Sequence, residues 1–351
     1  MKSAMRRREF ITLLGGGAAA WPLVARAQQR GMPVIGYLDS GPPRPKGPDV
    51  SAFRAGLAEA GFVDGKNLAI EYRWGNNDFA RIPALATDLV RRPVAVLVAV
   101  GAHSSALAAK AATSTIPIVV VFNGDPVQYG LVESLNRPGG NTTGVTSIQN
   151  ELAGKQLSLL HDMVPLTTPV AFLSGTPGYL TYQEQTSAIL AAGQTLGLEI
   201  VIVECRRDSD FESAFETMVR RRAGALMVGA FPLGNLGKVI PLAARHKIPA
   251  MYPSRGLVFG GGLMSYTADI LANYRLAGSQ YVARILKGEK PADLPVQQPT
   301  KFEFIINLQT AKTLNLTIPP GVLAIADDVI EERCCCCGAR VGFCADFRVP
   351  A

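Results

Sequence analysis

Apolar runs of strand length alternate with helix-length segments along most of this chain. The clearest unit lies between Val94 and Asp125. PVAVLVAV and IPIVVVFN are continuous apolar runs, and the Ala-rich ALAAKAAT between them has good helix propensity. Continuous runs, rather than strict alternation, predict parallel strands buried on both faces, so the unit reads as βαβ. Before it come a strand over 33–38, a helix over 50–60 with Phe53, Leu57 and Ala60 on one face, and a strand over 68–73. A helix over 79–90 follows, with Leu85 and Leu89 facing the sheet. Gly61 stands where a helix-ending glycine is expected. After the unit come a helix-like segment near Leu131 and a strand around Val145. The whole is one doubly wound lobe.

The same rhythm then begins again. Helices are predicted over 152–163, 182–196, 211–222 and 235–244, and strands over 170–173, 199–203, 225–228 and 248–251. Leu152, Leu159, Leu160 and Met163 are core candidates in the first of these helices. Phe211, Phe215, Met218 and Val219 form the stripe of the third. Closing elements are a strand over 263–266, a long helix over 270–287, a strand over 302–306 and a helix over 309–314. Two α/β lobes of one architecture, with no long linker, imply a cleft between them, and such interfaces are preferred small-molecule sites.

In open α/β sheets the ligand sits outside the carboxyl ends of the strands. That rule selects Ser40, Ala102, Ser104, Ser105, Asn123 and Asp125 in the first lobe. Ser104 or Ser105 is placed to cap the helix that follows, whose free N–H groups suit a carboxylate. Asp125 is placed either to accept from a ligand ammonium or to cap the turn at Pro126. Matching second-lobe positions are Tyr179, Phe231, Tyr252 and Arg255, with Tyr266 and Asp269 flanking the return to the first lobe. Tyr179 and Phe231 read equally as packing aromatics. An amino-acid-like ligand or small carboxylate matches the set: carboxylate to the helix N-terminus, ammonium to Asp125 or Asp269, side chain against Tyr179 or Phe231.

The N-terminus changes the picture of charge and compartment. Arg6, Arg7 and Arg8 precede a short apolar stretch that ends in Ala25-Arg26-Ala27, the layout of an export signal with a cleavage site. The arginine pair predicts the twin-arginine route and a periplasmic product. The apolar region is too short for a permanent span. The full chain of 351 residues carries +7, but removing residues 1–27 leaves 30 basic against 27 acidic residues, or +3. The basic excess is therefore largely the leader, and nucleic acid is not an expected partner.

Catalytic and metal motifs are sparse. Three histidines, His103, His161 and His246, have no metal spacing. There is no G-x-S-x-G elbow, phosphate loop or G-x-G-x-x-G, so no enzyme, cofactor or metal is predicted. Asp39, Asp125 and Asp269 remain scattered acids, and a pair of carboxylates across the cleft keeps an exported hydrolase open as an alternative. Cys205 is alone in the body, and Cys334 to Cys337 form a run near the end without zinc spacing.

Several stretches together resemble a known family: RRREFITLLGG, VGAHSSALAAKAAT, FNGDPVQYGLV, GGNTTGVT, GGLMSY, YVARILKGEKPADLPV and FEFIINLQTAKTLNLTIPP. Over residues 5–331 the chain is similar to exported ABC-transporter substrate-binding proteins of the tryptophan/tyrosine type. The resemblance implies a type I periplasmic binding protein fold, with two Rossmann-like lobes closing on a ligand. It implies a first lobe of 33–146 plus 264–294 and a second of 147–263 plus 295–331. It also implies delivery of a small polar ligand to a membrane permease and, indirectly, its ATPase, by a monomer with no stable membrane insertion. Relatives stop near Glu331, so the Cys-rich segment 332–351 departs from the pattern, and a frameshift or late read-through is the leading explanation. A ligand-sensing module for a membrane receptor is a further alternative on the same fold.

Overall fold

Strand β3 (Val96–Val100) is the middle of a five-stranded parallel sheet with the order β2-β1-β3-β4-β5. Its neighbours are β1 (Val34–Asp39), β2 (Ala69–Trp74), β4 (Ile118–Asn123) and β5 (Thr142–Ser147). Alternate β3 side chains enter different cores: Val96, Val98 and Val100 on one face, Leu97 and Ala99 on the other. This two-sided burial is what the unbroken apolar run encodes. The computed structural model describes residues 32–147, 152–164, 169–175, 180–229, 236–299 and 301–331. The leader, the Cys334–Cys337 run, Tyr179 and Phe231 lie outside them.

Helices α1 (Pro48–Glu59), α2 (Ile82–Val90) and α3 (His103–Ala112) flank this sheet. Gly61, at φ +93°, ends the turn after α1 as expected. No helix forms near Leu131. The chain there runs in turns tied by Leu131 N–H to the Pro126 carbonyl at 2.8 Å, with Leu131 itself fully buried. Pro126, Gly130, Pro138 and Gly139 crowd this stretch with residues that favour turns.

The second sheet has seven strands in the order β12-β11-β10-β9-β8-β6-β7. These are β6 (Val170–Ser174), β7 (Ile200–Glu204), β8 (Ala225–Val228), β9 (Ala250–Tyr252), β10 (Met264–Ala268), β11 (Phe302–Asn307) and β12 (Asp328–Ile330). All pairings are parallel except β10 with β11. Helices α4 (Ala153–Met163), α5 (Leu180–Leu196), α6 (Phe211–Arg220), α7 (Val239–Arg245) and α8 (Arg255–Phe259) belong to this lobe. On α6 the buried stripe is Phe211, Ala214, Phe215 and Met218, whereas Val219 is 51% exposed. At 100° per residue, Ala214 centres the stripe on the other side of Phe211 and swings Val219 out of it.

Helix α9 (Ile270–Leu276) continues through a π-helical turn, Ala277–Val282, into α10 (Ala283–Leu286). Tyr274, Ala277, Tyr281, Val282 and Ile285 pack into the first-lobe core. The lobe boundaries therefore differ from those implied by resemblance. Strand β10 belongs to the second sheet, and the chain enters the first lobe only at Asp269. Residues 294–297 also belong to the first lobe: Val296 N–H donates to Leu135 O at 2.7 Å and Gln297 N–H to Gly144 O at 3.1 Å. A short apolar run such as MSYTA says nothing about which sheet it joins; its ladders with β9 and β11 decide that. Helices α11 (Leu308–Thr313) and α12 (Pro320–Ala324) close the second lobe. Among the described residues no helix is long and apolar enough to cross a membrane.

Cys205 is fully buried at the end of β7, and burial, with Asp210 adding a smaller repulsion, pushes its thiol up to about 12. The thiolate is the nucleophile, so this cysteine is expected to be inert while the lobe is folded. Peptide mapping after alkylation at pH 8 should find Cys205 unmodified in native protein and modified once denaturant is added. Native labelling would show that β7 opens readily.

Candidate functional site

The chain passes between the lobes after β5, after β10 and before β11, and each passage lies at the carboxyl edge of the parallel strands. Those edges are thereby tethered together. At the second passage Asp269 caps α9, its Oδ1 accepting from Ala272 N–H at 3.0 Å. Just beyond, the buried Asn273 amide donates to Ser147 Oγ at 3.1 Å, fixing α9 to the end of β5.

The first-lobe wall is polar and incompletely bonded. Ser40 Oγ accepts from Ala102 N–H at 2.7 Å, so the loop after β1 holds the start of α3. Ala102 is the N-cap residue, and neither Ser104 nor Ser105 caps the helix. Among the described residues both serine hydroxyls are buried without a partner, as are Asn123 Oδ1, His103 Nε2 and Asp39 Oδ2. A buried polar atom left unpaired costs about 1–3 kcal/mol, so a cluster at one sheet edge marks a surface awaiting an occupant. Burial holds the Asp39 carboxyl above its ordinary value, opposed by the Gly41 N–H that Oδ1 accepts at 2.7 Å. Burial likewise keeps His103 below the ordinary histidine range. Its ring stacks on Tyr129 at 4.6 Å between centroids and meets the edge of Phe122 at 4.9 Å.

The second-lobe wall is uncharged and mixes apolar side chains with two glutamines. A small pocket, partly open to solvent, is lined by Ala153, Gln156, Phe172, Gln185, Ala188, Ile189, Met227, Val228, Gly229, Met251, Tyr252 and Pro253. None of these side chains carries a charge at neutral pH. The two walls approach each other at Tyr129. Burial pushes its phenol up to about 12, and the Glu184 carboxylate of α5, in the other lobe, adds to the shift.

The remaining predicted residues are placed as follows. Asp125 Oδ1 accepts from Val127 N–H at 2.9 Å, the turn-capping role. Asp269 is committed to α9 and faces Lys301 Nζ at 3.8 Å. Arg255 pairs with Glu303 at 2.7 Å and lies over the Phe259 ring. Tyr252 lines the pocket, but its ring is 2% exposed and belongs to the second-lobe core. Tyr266 stacks on Phe302, and its carbonyl accepts from Gln156 Nε2 at 2.8 Å. So Ser40, Ala102, Ser104, Ser105 and Asn123 come together on one wall, while Arg255 and Asp269 serve an ion-pair group at the passage between lobes. Asp39 and Gln156 were not among the chosen residues. Asp39 had a signal, its place at the carboxyl end of β1; Gln156 had none, because only the packing of α4 over β10 brings it to the pocket. Among the described residues no group of three or more His, Cys, Asp or Glu is positioned to hold a metal ion.

Two tethered lobes of this topology agree with the sequence resemblance, and a family model for ABC transporter substrate binding proteins matches residues 47–330. The chain belongs to that family. This substrate-binding protein is 27% identical over 270 residues to the tyrosine-binding protein of Clostridioides difficile (strain R20291), covering 75% of each chain. It is similar to the ABC domain from Streptococcus pneumonia solved in complex with L-Trp, at 25% identity, TM-score 0.76, 86% of this chain and 100% of that one. A conserved domain protein from Vibrio cholerae matches at 25% identity and TM-score 0.74, over 85% of this chain and 100% of that one. The substrate-binding protein has the type I periplasmic binding protein fold.

Proposed function

We propose that this protein is the exported solute-binding component of an ABC importer, and that it captures an amino acid with an aromatic side chain in the cleft between its lobes. One contrast carries the reading: the first-lobe wall gathers buried polar atoms with no partner among the described residues, whereas the second-lobe pocket is uncharged and offers Phe172, Ile189, Met227 and Met251. An amino acid has that same division, a charged head and an apolar side chain. Its carboxylate would take the free N–H groups at the start of α3 and the Ser104 and Ser105 hydroxyls. Its side chain would fill the pocket between Phe172, Ile189, Met227 and Met251. The relatives that bind tyrosine and L-Trp support this ligand class. Closure over the ligand would exclude water and present the joined lobes to a permease, after export by the twin-arginine route. Native mass spectrometry of freshly purified protein, followed by titration calorimetry with the proteinogenic amino acids, tests the reading. An aromatic amino acid co-purifying or binding at micromolar or tighter Kd is expected; heat only from sugars or inorganic anions would overturn it.

Gln156 sharpens the expected selectivity. Its Nε2 is committed to the Tyr266 carbonyl, which leaves Oε1 as an acceptor at the pocket. An acceptor favours a side chain ending in N–H or O–H, as tryptophan and tyrosine do, over phenylalanine. Gln156→Leu is expected to lower the preference for L-Tyr or L-Trp over L-Phe by about 3- to 10-fold, the worth of one hydrogen bond of roughly 1 kcal/mol. Any general loosening of α4 would weaken all ligands alike, so the ratio isolates the acceptor. An unchanged ratio would remove Gln156 from the selectivity.

A further inference from the structure

We propose that Asp39 is the receptor for the ligand's ammonium group, a role that rests on the amino-acid reading above. Asp39 is 1% exposed, and its Oδ2 has no partner among the described residues. Beside it lie Asp49 and Tyr37, which are 7% and 0% exposed, with Asp49 Oδ1 and the Tyr37 hydroxyl also lacking a partner among the described residues. The cation beside them is Arg44, whose Nη2 is spent on Asp49 Oδ2 at 3.2 Å. Two buried carboxylates with one guanidinium leave a surplus negative charge, which a buried site retains only when a cation completes it.

Position supplies the second argument. In an α-amino acid the ammonium and the carboxylate are attached to the same carbon, so their receptors must be neighbours. Asp39 and the start of α3 are neighbours across Gly101: a Cβ on Gly101 would lie 2.8 Å from Asp39 Oδ1. Ser40, the next residue after Asp39, already bonds Ala102 N–H. The alternatives named from sequence are otherwise engaged, Asp125 with the Val127 N–H and Asp269 with α9 and Lys301.

The test compares each amino acid with partners that lack either the ammonium or the carboxylate. L-Tyr, L-Trp, their des-amino acids (hydroxyphenylpropionate and indolepropionate) and their decarboxylated amines are titrated into wild type and Asp39→Asn. The wild type should prefer each amino acid over its des-amino partner by about 100-fold or more, as a buried charge-assisted bond allows. Asp39→Asn should shrink that ratio to within about 3-fold. Its unliganded Tm should be equal to or above that of wild type, since asparagine keeps the acceptor for Gly41 N–H and removes an unpaired charge. An undiminished ratio in Asp39→Asn, or a wild type that binds des-amino acids equally well, overturns the assignment without touching the amino-acid reading. Amines bound through Asp39 with amino acids refused would keep the assignment and overturn the reading. Silence from the whole panel overturns both.

Discussion

Gly56→Val is expected to lower the melting temperature by about 4 °C, the equivalent of roughly 3 kcal/mol in a chain of this size. Helices α1 and α9 approach so closely that their backbones touch. A Cβ on Gly56 would collide with the Arg275 carbonyl and stand 2.8 Å from its carbon, and one on Gly278 would collide with the Phe53 carbonyl. Both partners are backbone, so nothing flexible can give way. Valine must push α9 off α1 and open the core in which Phe53, Leu57, Tyr274 and Ala277 are buried together. Gly56→Ala should move in the same direction by less. Scanning calorimetry checks the pair. An unchanged transition would show that α9 sits loosely on the first lobe. The same variants should lose some ligand affinity, because α9 carries Asn273 to Ser147 and Tyr274 to the neighbourhood of Asp39.

How far this fold could be read in the sequence follows from what each element buries. Strands β3 and β4 are buried on both faces and announce themselves as unbroken Val-rich runs. Helix α6 announces itself by spacing, and its one misplaced residue, Val219, lies at the margin of the stripe. The segment around Leu131 failed because a buried leucine between turn residues leaves the same local pattern as a short helix. Strand β12, with only three residues and no buried side chain, carries no periodic signal at all. For the proposed site, the strand-end rule picked out residues that share one sheet edge, Ser40, Ala102, Ser104, Ser105 and Asn123, since it depends on chain order alone. It did not separate Asp39 from Asp125 or Asp269. All three are acids at strand ends, and their difference lies in partners: a turn N–H for one, a helix cap and a lysine for another, and for the third an Oδ2 with no partner among the described residues. The second-lobe pocket was missed for the related reason that Gln156, Ile189 and Met227 come from elements distant in sequence.

Gly101→Val should give the opposite signature from Gly56→Val: ligand affinity reduced by more than about 100-fold in a protein that still folds, as loss of several charge-assisted bonds implies. Gly101 sits at φ +86°, where a β-branched residue costs about 1–2 kcal/mol. It is exposed at the end of β3, so no core packing is lost. The harm is local and directed. A Cβ there would collide with Ser40 Oγ and press on Asp39 Oδ1, breaking the 2.7 Å bond from Ala102 N–H and turning the start of α3 away from the β1 loop. One substitution thus displaces both receptors of the proposed ligand, the helix N-terminus and the Asp39 carboxylate. Calorimetric titration at 15 °C, well below the transition of either variant, separates this from instability. Under those conditions Gly56→Val should retain most of its affinity and Gly101→Val almost none. Full affinity in Gly101→Val would mean that the ligand's head group lies elsewhere than between β1 and α3.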